Sequence, residues 1–192
     1  MAILFSELLE QAHLQNNIPN KNDRSREWFR SLFEKRSNAA FPKVNRSIVG
    51  RLYFFEYLAK GRKELPYHDR IPLVIPIKKE TDGILGINLH YLSPVYRARL
   101  FDALLDVVAV KDEDAQFKIK YDVLDKFSKF KYFRPCVKKY LLKGIRTSTL
   151  IPPTDWQQAL FLPVEDFRGP NSVVYPRRLV WEDSRDLIKK RP

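Results

Sequence analysis

Between Leu65 and Leu100 the chain reads LPYHDRIPLVIPIKKETDGILGINLHYLSPVYRARL, and its apolar spacing changes character twice. Pro72 to Ile77 is a short apolar run and predicts a strand. Pro76 inside it predicts an edge position or a strand end, because proline has no N–H for the ladder. Thr81-Asp82-Gly83 predicts a turn. From Ile84 to Leu92 a third strand follows. Leu85, Ile87, Leu89 and Tyr91 form the face expected to be buried, with Ile84, Gly86, Asn88 and His90 on the other. Ser93 and Pro94 then open a helix to about Val108, serine as N-cap and proline at the first helical position, where its missing N–H costs nothing. Leu100, Leu104, Leu105 and Val108 face the core at helical spacing.

The flanks continue the pattern. Residues 4–15 predict a helix on Leu4, Leu8, Leu9 and Ala12. A second starts at Asp23 or Ser25 and runs to Lys35, with an apolar stripe of Trp28, Phe29, Leu32 and Phe33. Residues 37–47 read as a linker. Ile48 to Tyr57 is rich in strand formers, and Lys60-Gly61-Arg62-Lys63 is a basic loop. Residues 120–129 and 136–143 predict two helices broken at Pro135, with Gly144 as the C′ residue of the second. Thr147 to Ile151 predicts a strand and Trp156 to Phe161 a short helix. Residues 163–180 predict an extended segment, and Trp181 to Ile188 an amphipathic turn or two.

The sum is an α+β fold: a central antiparallel unit of three to four strands flanked by short helices. The expected division is an N-terminal helical arm and linker over 1–47, a core domain over 48–162 and an extended C-terminal arm over 163–192. Trp28, Phe29, Phe33, Tyr175 and Trp181 are large side chains on the arms and stand as candidate partner-docking residues.

Charge changes the picture. Lys and Arg number 35 against 23 Asp and Glu, a net +12, which favours an anionic partner. The excess is densest in Lys118–Arg146, where ten basic residues meet only Asp122 and Asp125, a local +8. Lys126, Lys129, Lys131, Arg134, Lys138, Lys139, Lys143 and Arg146 are the candidate face for DNA or an acidic partner. Tyr121, Phe127, Phe130, Tyr132, Phe133 and Tyr140 are interleaved with them, so the aromatics either stack on bases or form the core side of short helices.

Other chemistries have little support. Tyr67-His68-Asp69-Arg70 is a compact titratable cluster with His90 as a candidate neighbour, but no nucleophile stands in a recognisable setting. The expectation is therefore no catalytic residue, with Asp69 or Arg70 in a structural ion pair. His13, His68 and His90 lack metal-ligand spacing, and Cys136 is the single cysteine, so no metal, cofactor or intrachain disulfide is expected. Six glycines form no phosphate-cradling loop, which argues against nucleotide binding and a small-molecule substrate. No apolar run reaches the ~18–20 residues of a membrane span, and the N-terminus lacks a signal-peptide pattern.

The segments LYFFEYLAKGRKELPYHDRIPLVIPI, GILGINLHYLSPVYRARLFDALL, KFKYFRPCVKKYL, WQQALFLPVEDF and VWEDSR together resemble one family. It is a set of small virion-associated or DNA-end-protector-like proteins of T-even-like contractile-tailed phages, and the resemblance spans roughly residues 24–188. His68 departs from it where an aromatic residue is expected. The resemblance carries no functional residues across. It implies a non-enzymatic role in the host cytoplasm during assembly and in the virion. The main expectation is a structural or assembly protein of head, neck, tail or baseplate, docking on other virion subunits through its arms and basic face. The alternative is a DNA-binding protein that protects or coats packaged genome ends, with double-stranded DNA as partner.

Overall fold

The computed structural model describes residues 4–35, 48–108 and 111–190. Helices α1 (Phe5–Leu14) and α2 (Ile18–Lys35) precede strands β1 (Leu52–Tyr57), β2 (His68–Asp69), β3 (Leu73–Lys79) and β4 (Gly83–Asn88). Helices α3 (Pro94–Val108) and α4 (Glu113–Lys129) follow, then β5 (Val137–Leu141), β6 (Ile145–Ile151), α5 (Trp156–Leu160), β7 (Phe167–Arg168), β8 (Val174–Tyr175) and α6 (Arg177–Lys190). The fold is mixed α+β with two antiparallel sheets. The larger runs β5-β4-β3-β1-β6 and the smaller β2-β7-β8.

The larger sheet cannot lie flat. Its edge strands β5 and β6 are joined by only Leu142–Gly144, whereas the edges of a flat five-stranded sheet stand ~19 Å apart at ~4.8 Å per strand. The short connection reaches at most ~14 Å when fully extended, so the sheet curls until its edges approach. Contacts across the seam agree. The Tyr140 ring of β5 meets the rings of Tyr57 and Phe55 on β1 edge-on, at 4.9 and 5.2 Å. The Leu141 N–H donates to the Tyr57 hydroxyl at 3.2 Å, and the Leu58 N–H to the Gly144 carbonyl at 2.8 Å. Gly144 is thus required by close approach rather than as a helix cap; a Cβ there would meet the Leu58 carbonyl oxygen at 2.7 Å.

One continuous core joins both ends of the chain to the sheet. α1 packs on α3: Phe5 lies 5.2 Å from Phe101, which stacks on Trp156 at 5.0 Å. The N-terminus of α1 is capped from α3, where the Asp102 carboxylate accepts from the N–H groups of Phe5 (2.5 Å) and Ser6 (3.1 Å) and from the Ser6 hydroxyl. α6 packs on the 3-10 turn Leu89–Tyr91, with the Trp181 indole donating to the His90 carbonyl at 2.8 Å.

Several expectations are corrected. Residues 136–143 are not a helix; Val137–Leu141 is edge strand β5, paired with β4 from Gly83↔Leu141 to Ile87↔Val137. β3 is the middle strand despite Pro76. The ladder slips by a bulge between Pro76 and Lys78, and the Pro76 carbonyl accepts from the Gly50 N–H at 3.1 Å. β4 does not have one polar face, since Ile84, Gly86 and Asn88 are buried along with Ile87, and His90 is buried just beyond. It lies inside a curled sheet covered by helices. α2 begins at Ile18 with Pro19 in its first turn, and the end of the chain is a helix of 14 residues rather than a turn or two. The linker expected over 37–47 lies outside the described residues, as do the side chains of Phe33 and Val108.

Candidate nucleic-acid interface

Curling the sheet brings β5 beside the loop that follows β1, and a groove forms along this junction. It consists of three adjoining clefts. The first is lined by Tyr67, Tyr91, Lys131, Arg134, Lys138 and α6. The second shares Tyr67, Tyr91 and Lys138 and adds Lys60, His68, Asp69 and Lys139. The third shares Tyr57 and His68 with the second and adds Arg62, Lys63 and Arg70. Eight cations line the groove, and Asp69 is the single carboxylate among the lining residues.

The cations differ in how free they are. Lys139 is held by Glu80 and Asp82, each at 2.9 Å, and these hydrogen bonds keep both carboxyls below their usual range. Arg70 has the Asp166 carboxylate at 3.7 Å. Lys138 is half-buried, with its ammonium 4.3 Å from the centre of the Tyr91 ring; burial lowers its pKa. Lys60, Arg62, Lys63, Lys131 and Arg134 are exposed.

The groove floor is built from a buried polar network. Asp69, with 1% of its side chain exposed, meets His90 Nδ1 at 2.8 Å and accepts from Asn88 Nδ2 at 3.0 Å and from the Ile71 N–H at 3.1 Å. Asn88 Nδ2 also donates to the Tyr140 hydroxyl at 2.9 Å. Burial pushes the Tyr91 and Tyr140 hydroxyls well above their ordinary pKa. Burial, with the Asp183 carboxylate at its hydroxyl, takes Tyr67 up to about 12. These phenols are neutral at physiological pH, and the Tyr67 hydroxyl is already engaged by Asp183. His68 lines the same cleft as Asp69, but its buried Nδ1 makes no hydrogen bond, and burial lowers its pKa despite that carboxylate. Asp69 is taken up by His90, Asn88 and Ile71, so adjacent His68 and Asp69 are not hydrogen-bonded to each other. Among the described residues, no group of His, Cys, Asp and Glu is arranged to hold a metal ion. Cys136 is a buried free thiol pushed up to about 12 by burial.

The residues singled out in the sequence distribute over several places. Lys131, Arg134, Lys138 and Lys139 come together in the groove. Lys126 and Lys129 are exposed on α4 and line none of the three clefts, Lys129 being paired with Asp125 at 2.6 Å. Lys143 and Arg146 are exposed at the β5–β6 connection and on β6. Of the interleaved aromatics, Phe133 and Tyr140 are core, Phe127 packs on Phe133 at 4.8 Å, and Tyr121 and Phe130 are exposed. Phe29 is buried against Phe54 at 5.1 Å, and Trp28 donates to Asp155 at 3.1 Å. Tyr175 packs on Tyr67 at 5.7 Å, and Trp181 is tied to His90. Lys60, Arg62, Lys63 and Arg70 are the groove cations that were not selected as site residues. The basic loop was visible in the sequence; its juxtaposition with β5 was not.

The fold and the groove define a basic α+β protein with a cationic, tyrosine-floored surface whose chemistry suits a phosphate-bearing chain. The profile described as the phage T4 terminal DNA protecting protein matches residues 5–184, and the chain belongs to that family. Comparison with curated proteins and with solved structures gives no significant match. Among the described residues, no helix is long and apolar enough to cross a membrane.

Proposed function

We propose that this protein binds the ends of linear phage DNA through the groove and so blocks nucleases from them. The observation that carries this reading is the set of cations lining three clefts that share residues, Arg62 and Lys63 in one, Lys60 and Lys138 in the next, Lys138, Lys131 and Arg134 in the last, with Asp69 as the single carboxylate among the described lining residues. Such a set neutralises successive phosphates and releases their counterions. The family supports end protection over the structural virion role. The protein acts by occupancy. The groove offers cations and neutral phenols, which suit holding a phosphate chain.

The test is digestion of a linear duplex by a processive exonuclease with and without the protein. Protection is expected, a closed circle should compete poorly for the protein, and Arg62→Gln combined with Lys63→Gln and Arg134→Gln should abolish protection. Equal competition by the circle would overturn end binding.

A further inference from the structure

The cleft between β5 and α6 differs from the rest of the groove. Lys131, Arg134 and Lys138 converge on it, α6 walls it with Ser184, Leu187 and Ile188, and no carboxylate lines it. Its volume is about 320 Å³, near the ~300 Å³ lower end of small-molecule sites, so it suits one nucleotide-sized group. Asp183 follows the chain beside Ser184, but its carboxylate is engaged by the Tyr67 hydroxyl.

The three cations are presented rather than spent. Arg134 uses Nε on the Lys129 carbonyl at 3.2 Å, and no ion pair ties its guanidinium to an acid among the described residues. Lys138 rests on the Tyr91 face, which steadies the charge but accepts none of its three N–H bonds. Lys131 is held the same way over Tyr132, at 5.4 Å. The Tyr91 face therefore holds the half-buried Lys138 ammonium while leaving its donors for a ligand, and Lys131 stands exposed beside it.

Ligand charge decides what fits. A phosphodiester inside a strand brings one negative charge. A terminal phosphate monoester brings about −1.5 to −2 near pH 7 and three strong acceptor oxygens. Three cations in a one-nucleotide cleft with no lining carboxylate, the Asp183 charge beside it being held on the Tyr67 hydroxyl, match the monoester. α6 closes the cleft on one side, which suits the end of a strand rather than its middle.

We infer that the cleft of Lys131, Arg134 and Lys138 is a terminal-phosphate site, which takes the phosphate monoester at the end of a DNA strand. The inference rests on the end-binding reading above and deepens it. Arg134 grips two phosphate oxygens through its guanidinium fork, and the two lysines supply the remaining charge. The rest of the groove holds the internal phosphates that follow.

The experiment uses a hairpin duplex with one open end, prepared in three forms: 5′-phosphate, 3′-phosphate, and hydroxyls only, with a closed circular duplex as control. Binding of the full chain is measured by fluorescence anisotropy. One phosphorylated end is expected to bind roughly tenfold or more tighter than the hydroxyl end, the scale of added charge-assisted hydrogen bonds; which form wins identifies the strand polarity. Arg134→Gln and Lys131→Gln, both at exposed positions, should weaken binding of the phosphorylated end more than binding of the hydroxyl end and so shrink that ratio, and Lys138→Met should do the same with its apolar stem kept on Tyr91. Equal binding of all three hairpins, each still preferred over the circle, would overturn the phosphate site and leave end binding standing. No preference for hairpins over the circle would overturn end binding itself.

Discussion

Arg97 is the residue whose role departs most from its sequence context. It sits in YRARL two positions before Arg99 and is a charged residue on the apolar stripe of Leu100 and Leu104. Arg99 is exposed, whereas Arg97 is 2% exposed and spreads its guanidinium over four acceptors. Nε donates to the carbonyls of Leu89 (2.8 Å) and Leu92 (3.1 Å), Nη1 to that of Leu162 (3.2 Å), and Nη2 to the Glu165 carboxylate (2.8 Å). It thereby ties α3 to the 3-10 turn under the groove and to the segment before β7. Arg97→Met should cost about 3–5 kcal/mol, since it removes the close partner of the buried Glu165 carboxylate, which keeps Arg177 at 3.9 Å, and the side-chain donors to the Leu92 and Leu162 carbonyls; urea denaturation measures this. Arg97→Lys should recover little, because an ammonium cannot reproduce the planar fork. Burial raises the Glu165 carboxyl, but Arg97 outweighs it and holds the folded value below 4.5. The stability from this pair is therefore complete above about pH 4.5 and falls as the pH drops through the depressed folded value. The same profile in Glu165→Gln would show that the pair is not responsible. Helical periodicity separates the two, since Arg97 stands three residues before Leu100 and seven before Leu104 on the apolar stripe while Arg99 falls with Asp102 and Asp106 on the other face; the acceptors that satisfy a buried arginine come from non-local segments and are not legible there.

At the scale of elements, the helix from Ser93-Pro94, the turn at Gly83 and the short helix at Trp156 were legible because each carries local chemistry. These are an N-cap with a following proline, a turn dipeptide, and an aromatic after a proline pair. β5 was not legible. VKKYL is five residues with lysines at both pleat parities, and only Tyr140 is buried, so neither period stands out. Its identity comes from pairing with β4, a non-local fact. The attachment of α1 is equally non-local. Its N-terminal N–H groups are satisfied by Asp102, 97 positions away from Phe5. Asp102→Ala should cost about 1 kcal/mol, the usual value of an N-cap, and should raise amide hydrogen exchange in Phe5–Leu14 more than elsewhere. Uniform acceleration along the chain would show that α1 does not loosen on its own.

At the scale of the molecule, the groove exists only because the sheet curls. Lys60, Arg62 and Lys63 follow β1, Lys138 lies on β5, and the sheet order separates those strands by β4 and β3. The charge map along the sequence puts the candidate anion face over 118–146, including α4; the function proposed above puts it in the groove, whose lining does not include Lys126. These two surfaces make different demands on salt. Leaving aside Lys139, which Glu80 and Asp82 already neutralise, seven cations line the groove. Counterion release then gives a slope of log K against log salt of up to about −6 for duplex DNA. Replacing a groove cation, as in Arg62→Gln, should make the slope shallower by about 1, because one phosphate contact goes with it. Lys126→Gln removes the same formal charge from α4, outside the groove, and should leave the slope where it was. If Lys126→Gln moved the slope as Arg62→Gln does, the DNA would be lying along α4, and the curled sheet would not be what gathers the contact surface.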